Sequence, residues 1–413
     1  MTEPDLDLEI RTIHEDEFAA WERSMSLTFS EDTTEARLSH VRNVTEIDRA
    51  IGAFSEGAIV GTAAAYSFEL TIPGGPVPCA SVDSVATLPT HRRRGVLTGM
   101  MRNQMADFHE RGEALAMLHS SESSIYGRFG YGIATWSEEW TIASEHTGFT
   151  VPLSATGQIR FVEREEVGRL WPAIYERVRP CRVGLVRFTD ALWTWIAADP
   201  EFMRHGASAL FHVVYEVDGM PEGFASYRVR DGTVLVVGLI GTTAIVEAAL
   251  WRFCFGIDLM TSTRAFNRPP DDPLPWMLAD PRKLQRSTRD HLWLRLVDVR
   301  AALSMRAYAS EIRAVISVDD GFCPWNAGAF ELEAGPEGAS CTLATRSPDI
   351  ALSAADLAAV YLGGTTLLNL SLAGRVRELT SGTIAVLDRA MATPRLPWTL
   401  ELREVQNTPS QAR

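Results

Sequence analysis

Lysine is almost missing from this chain: Lys283 is the single one among 39 basic residues, and arginine supplies the rest. Two causes fit, the codon bias of a GC-rich genome or a chain that offers few amines of its own to chemical modification. Cysteine is also sparse. The five residues Cys79, Cys181, Cys254, Cys323 and Cys341 have no metal-ligand spacing, so no metal is expected and a reducing cytoplasm is the natural setting. The longest apolar stretch, residues 233–257, is broken by Glu247, Arg252 and glycines, which argues against a membrane span. Met1–Asp7 is acidic and lacks the basic and apolar regions of a signal peptide, so a cytoplasmic protein is expected. There is no Walker A loop, Gly-x-Gly-x-x-Gly, Gly-x-Ser-x-Gly or His-Glu-x-x-His, which disfavours nucleotide hydrolysis, Rossmann redox chemistry, α/β-hydrolase action and zinc proteolysis. A net charge of −14 argues against a nucleic-acid partner and suits a cationic substrate.

What is present reads as an enzyme of two or three domains: 413 residues, 46% hydrophobic and 22% charged, exceed one ordinary core. The informative stretch runs from Ala80 to Arg111. Residues 80–87 have strand composition, and from Val96 apolar residues recur at helical spacing (Leu97, Met100, Met101, Met105, Phe108). Between them lies His91-Arg92-Arg93-Arg94-Gly95. A helix's first amides lack intrahelical partners and bind anions with the help of the macrodipole; Arg92, Arg93 and Arg94 add bidentate donors, and Gly95 permits close backbone approach. A solvated arginine run is the competing reading.

The Arg-x-x-Gly turn between a strand and a helix resembles the pyrophosphate-binding loop of GNAT acetyltransferases, although Leu97 stands where that superfamily usually has Gly or Ala. After the next apolar strand comes Ser121-Glu122-Ser123-Ser124-Ile125-Tyr126-Gly127-Arg128-Phe129-Gly130-Tyr131-Gly132. Together the two segments are similar to the Eis (enhanced intracellular survival) group of actinobacterial N-acetyltransferases. The specific motifs lie between Val82 and Trp136; elsewhere the likeness is one of length, element order and composition.

That resemblance implies a mixed α/β (α+β) chain: a GNAT domain at 1–150 with the acetyl-CoA site, a second GNAT-like domain at 151–295 without one, and a sterol-carrier-protein-like α/β domain at 296–413. The residues follow this order. Residues 158–163 and 167–178 restart the strand-helix plan, but the loop matching the arginine turn is Gly241-Thr242-Thr243. A third block opens at Trp293–Val299, with hairpin-like strands near 314–318, 328–333 and 341–344, a helix at 354–361 and a strand at 383–385.

Acetyl transfer to an amine needs the thioester held, its oxyanion stabilised and the leaving thiolate protonated. Strand amides at Val85, Ala86 and Thr87 can serve the pantetheine arm and the thioester carbonyl, and the turn from Arg92 to Thr98, including Val96 and Leu97, can serve the phosphates. By resemblance, Ser121 and Glu122 begin the opposite wall. Tyr126 is the candidate proton donor, since a phenol stays protonated at neutral pH; a packing role beside Phe129 and Tyr131 is the alternative, and the resemblance implies the general acid. His119 is a further candidate acid or base. The resemblance implies that the chain's terminal carboxylate serves as base soon after a Pro-Trp pair. Here Pro397-Trp398 is followed by residues up to Arg413, past the expected end at Leu402, so the base is the Arg413 carboxylate, Glu401 or a water. Expected acceptors are aminoglycosides, polyamines or lysine side chains, and the resemblance implies a homohexamer. The alternative is a CoA-binding or lipid-carrying protein that has lost turnover.

Overall fold

The computed structural model describes residues 8–150 and 156–401. They form two units: the chain up to Thr135 with His291–Pro394, and Trp136–Asp290 with the segment from Arg395.

In the first unit, strands numbered along the chain build a sheet in the order β1 (Glu9–Thr12), β2 (Ala50–Ser55), β3 (Ala58–Ile72), β4 (Gly75–Thr87), β5 (Leu115–His119), β14 (Leu292–Leu296) and β6 (Gly132–Ile133). Helix α1 (Phe18–Phe29) buries Phe18, Trp21 and Met25 at helical spacing, and the Trp21 indole donates to the Ile51 carbonyl at 2.8 Å; α2 (Glu35–Arg42) follows it. Helix α3 (Val96–Glu110) buries Val96, Met100, Met101, Met105 and Phe108. It lies so close to β3 that a Cβ on Gly61 would stand 2.6 Å from the Val96 side chain. One difference from the sequence reading concerns β14. Residues 292–296, assigned there to the junction of the second and third blocks, pair with β5 and β6 inside the first sheet. The match is long-range and leaves no local signal.

The rest of this unit carries β15 (Ile312–Asp319), β16 (Gly328–Gly335), β17 (Gly338–Leu343), β18 (Ile350–Ser353) and β19 (Arg377–Glu378) in the order β17-β16-β15-β18-β19. Around this sheet lie α8 (Val299–Met305), α9 (Ala354–Tyr361), α10 (Leu367–Leu372) and α11 (Thr383–Met391). Residues 383–385, expected as a strand, open helix α11 instead. Ile384, Leu387, Ala390 and Met391 bury one helical face, and Gly382 precedes it in the left-handed conformation. Helical burial over nine residues outweighs the local β preference of Thr383-Ile384.

The second unit has the sheet order β13 (Gln285–Asp290), β7 (Trp136–Ala143), β12 (Ser262–Arg268), β11 (Thr233–Gly241), β10 (Met220–Arg230), β9 (Phe211–Val217), β8 (Gln158–Phe161). Helices α4 (Arg164–Val178), α5 (Asp190–Ala198), α6 (Ala244–Phe255) and α7 (Leu274–Met277) complete it. Strand β7, within the first block as read from sequence, belongs to this sheet.

Candidate active site

Parallel strands β4 and β5 pair through only Ala80–Ala116, Ser81–Met117 and Val82–Leu118. Beyond Val82, β4 continues to Thr87 on its β3 side while its β5 side is left open. The register with β3 slips at that point: Asp83 opposes Ala64, but Ala86 opposes Thr62, so Ser84 and Val85 form a bulge. Ser84 sits at φ +54°, a costly conformation for a residue with a side chain. Two bonds hold it: its amide donates to the Asp83 carboxylate at 2.5 Å, and the Thr62 hydroxyl donates to its carbonyl at 2.8 Å. The bulge leaves Val85 without a partner on β3, at the mouth of an opening between the carboxyl ends of two parallel strands, where α/β folds bind ligands.

At the end of β4 the chain turns into α3. Gly95 occupies the N-cap position at φ +83°, and no side chain caps the helix. The Val96, Leu97 and Thr98 amides therefore retain the open donor character of a helix start. Arg92 and Arg93 are exposed, Arg93 also at positive φ, and the Nε of Arg94 is buried without a hydrogen-bond partner. Open amides, three guanidinium groups and an orphaned donor suit a phosphate-bearing ligand. Leu97, the departure from the usual loop, is partly buried and packs against the core.

Tyr126 begins a 3-10 turn, Tyr126–Phe129, that closes on Gly130 at φ +82°. It is buried in a cluster with Val82, Leu118, Met101 and Tyr131, so its ring stands beside the point where β4 and β5 part. Burial, assisted by the negative charges of Asp83 and Glu122, pushes its phenol up to about 12. Of the other sequence candidates, Ser121 and Glu122 are exposed on the segment leading to this turn, and the His119 ring packs on His291 with centroids 4.5 Å apart. Arg413 lies outside the described residues. Glu401 is half-buried in the second unit, next to core residue Leu400.

The second unit repeats the strand-helix-strand plan with a different interior. Strands β11 and β12 pair in parallel from Thr233–Ser262 to Val236–Ala265. Past that point, the buried Arg268 of β12 donates to the Leu239 carbonyl of β11 at 2.8 Å and to the Asp272 carboxylate at 2.5 Å. Its guanidinium lies 5.2–5.7 Å from the ring centres of Trp140, Trp251 and Trp398. Helix α6 is capped by the Thr243 hydroxyl, which accepts from the Val246 amide at 3.3 Å, and the Glu247 carboxylate reaches the Gly241 amide at 3.4 Å. The positions matching the opening and the cradle are thus occupied by the unit's own side chains. The Pro397-Trp398 segment belongs here as well: the Trp398 indole donates to the Asn267 carbonyl at 3.0 Å, and the Thr399 hydroxyl to the Gly184 carbonyl at 2.8 Å.

Sequence reasoning missed the Asp83-Ser84 bulge and the buried Arg268. An Asp-Ser pair inside an otherwise apolar strand was the one available signal for the first. An arginine beside Pro269-Pro270 reads as a surface charge and gave none for the second.

A sheet whose central strands part beside an uncapped, arginine-flanked helix start defines an acyl-CoA-type transferase fold, and the comparisons with known proteins agree. Residues 9–134 and 184–300 each match an acetyltransferase (GNAT) domain, and residues 299–400 match a sterol carrier protein domain. An uncharacterized N-acetyltransferase from Streptomyces avermitilis is 39% identical over 94% of this chain and 98% of that protein. The N-acetyltransferase Eis of Mycobacterium tuberculosis is 36% identical over 83% of this chain and 85% of its own. The crystal structure of Eis1 from Mycobacterium abscessus superposes with a TM-score of 0.82 at 32% identity, covering 95% of this chain and 99% of that one. The chain belongs to the Eis-like group of GNAT N-acetyltransferases, with two GNAT domains and a sterol-carrier-like domain. It is an acetyltransferase, and the GNAT fold implies acetyl-CoA as co-substrate. No helix among the described residues is long and apolar enough to cross a membrane.

Proposed function

We propose that the first unit transfers the acetyl group of acetyl-CoA directly to a primary amine of a cationic acceptor, such as an aminoglycoside, a polyamine or a lysine side chain. The observation that carries this reading is the coincidence at one sheet end of the strand opening, the uncapped α3 start and the buried Tyr126. The Arg92–Thr98 turn takes the phosphates, and Val85–Thr87 hold the pantetheine arm and the thioester oxygen, with Ser121 and Glu122 on the opposite wall. The neutral amine attacks the thioester carbon, the C–S bond breaks, and Tyr126 faces the departing sulfur. The Asp83 carboxylate supplies negative charge on the acceptor side.

Proton transfer from a phenol at about 12 to a thiolate of ordinary pKa is uphill by about 5 kcal/mol. Tyr126 therefore acts first as a hydrogen-bond donor to the developing thiolate, and the proton lost by the amine balances the final protonation. The alkaline limb of kcat should consequently stay flat to about pH 10. The second GNAT-like unit, with its filled interior, holds no coenzyme.

The test is release of free CoA from acetyl-CoA in the presence of a panel of amines. Turnover with a cationic amine supports the reading. Tight CoA binding with no turnover on any amine replaces it with a binding or lipid-carrying protein. Ending the chain at Leu402 asks separately about the base: a large loss of rate with CoA binding intact assigns that role to the Arg413 carboxylate, and an equal or higher rate removes it.

A further inference from the structure

The turn that carries Tyr126 is short, and little in its own sequence holds it. It is a single 3-10 turn, a form with poor hydrogen-bond geometry, preceded by four exposed residues, Ser121–Ser124, and containing exposed Gly127 and Arg128. Its support comes from elsewhere in the same unit. Arg295 on β14 is fully buried; its guanidinium reaches the Gly130 carbonyl, at the turn's end, over 3.4 Å. Gly130 has no room for a side chain, since a Cβ there would stand 1.9 Å from a terminal nitrogen of Arg295.

Arg295 is held in turn by Asp320, just after β15, at 2.5 Å. The Asp320 carboxylate also accepts from the amides of Phe322 and Cys323 at 3.1 and 2.9 Å, and from the Asn326 amide group at 3.4 Å. This shapes the 320–323 loop, which makes a second contact with the same turn: the Phe322 ring meets Phe129 edge to face, centroids 5.0 Å apart. One polar and one aromatic contact thus fasten Phe129 and Gly130, the residues that close the turn begun by Tyr126. The aromatic contact and the carboxylate that holds Arg295 come from a loop within the stretch that matches a sterol carrier protein domain, while Arg295 itself lies in the stretch that matches the second GNAT domain.

We infer that Arg295 and Asp320 are positioning residues for acetyl transfer, fixing Tyr126 against the thioester sulfur, and that the sterol-carrier-like part of the chain thereby completes the acetyltransferase site. The inference rests on Tyr126 as the hydrogen-bond donor to the departing sulfur. A guanidinium fork matches two acceptors in different directions, here the Asp320 carboxylate and the Gly130 carbonyl, which an ammonium would not. A small displacement of the turn removes the donor from the sulfur without touching the phosphate cradle.

The test is a double-mutant cycle on the full-length enzyme, with Asp320→Asn made alone and in a Tyr126→Phe background. Acting through Tyr126, Asp320→Asn should lower kcat about 10- to 100-fold, the scale of a misplacement near 1 Å. KM for acetyl-CoA should stay within about threefold, and no further loss should appear in the Tyr126→Phe enzyme. If Asp320→Asn does not fold, as judged by circular dichroism, Phe322→Leu takes its place in the same cycle. Equal fractional losses in both backgrounds, or an unchanged kcat, would overturn the clamp while leaving the acid in place. A full rate for Tyr126→Phe alone would overturn both.

Discussion

Two sheets of one plan end their central strands differently, and the difference separates a site from a core. In the first unit β4 and β5 part beyond Val82 and Leu118 with no further strand pairing between them among the described residues, while Gly95 leaves the following helix uncapped. In the second, Arg268 spans the corresponding gap among three tryptophans, and Thr243 and Glu247 occupy the helix start. A strand opening and a helix N-terminus are general products of the fold. They become a ligand site only where the chain withholds the side chains that would otherwise satisfy them.

Substituting Tyr126 should have the largest effect. Tyr126→Phe is expected to fold, bind CoA normally and lose roughly 10²–10⁴-fold in kcat; an undiminished rate where chemistry limits turnover would return Tyr126 to a packing role. Next is the filler of the second unit. Arg268→Met leaves Asp272 buried without its cation and should lower stability by about 3–5 kcal/mol. Denaturant titration measures that loss, and CoA affinity should not change, since the proposed site is in the other unit.

His212 gives the comparison a pH axis. Burial holds its imidazole down to about 4, below an unfolded value near 6.5. Its contribution is complete above pH 6.5 and is lost as the pH falls through 4, reaching about 3 kcal/mol. Chemical denaturation at pH 7 and pH 4.5 should show the second unit weakening, and His212→Gln should flatten that slope. Smallest is the effect on binding. Replacing Arg92 and Arg93 with Ala should weaken CoA about 10- to 100-fold and reduce its salt dependence, whereas Thr243→Ala should leave calorimetry at one CoA per chain with unchanged affinity.

The parts legible from sequence were those coded locally. The switch from strand to helical spacing across Arg92–Gly95 marked the strand-to-helix turn, and the Ile125–Gly132 run marked the turn that bears Tyr126. Distant partners were hidden. Nothing in Leu292–Leu296 says that it pairs with β5 and not with a strand of its own block, because pairing register is a property of two segments. The bulge at Ser84 depends on Thr62 across the hairpin. Arg268 and Arg295 are buried charges whose compensating carboxylates and carbonyls become visible only in three dimensions.

Strand β14 has a consequence for how this protein comes off the ribosome. The first sheet lacks an interior strand until Leu292–Leu296 has been made, although β5 ends at His119. At typical bacterial elongation rates the intervening residues take roughly 10–30 s to synthesise. During that interval the β5 edge has no neighbour on its β14 side, and every strand of the second unit emerges while its segment from Arg395, with Trp398, is still to come. Order of birth is therefore not order of completion: the first sheet waits with an open edge, where aggregation or chaperone capture would begin, and the second unit closes only once the segment from Arg395 has been made.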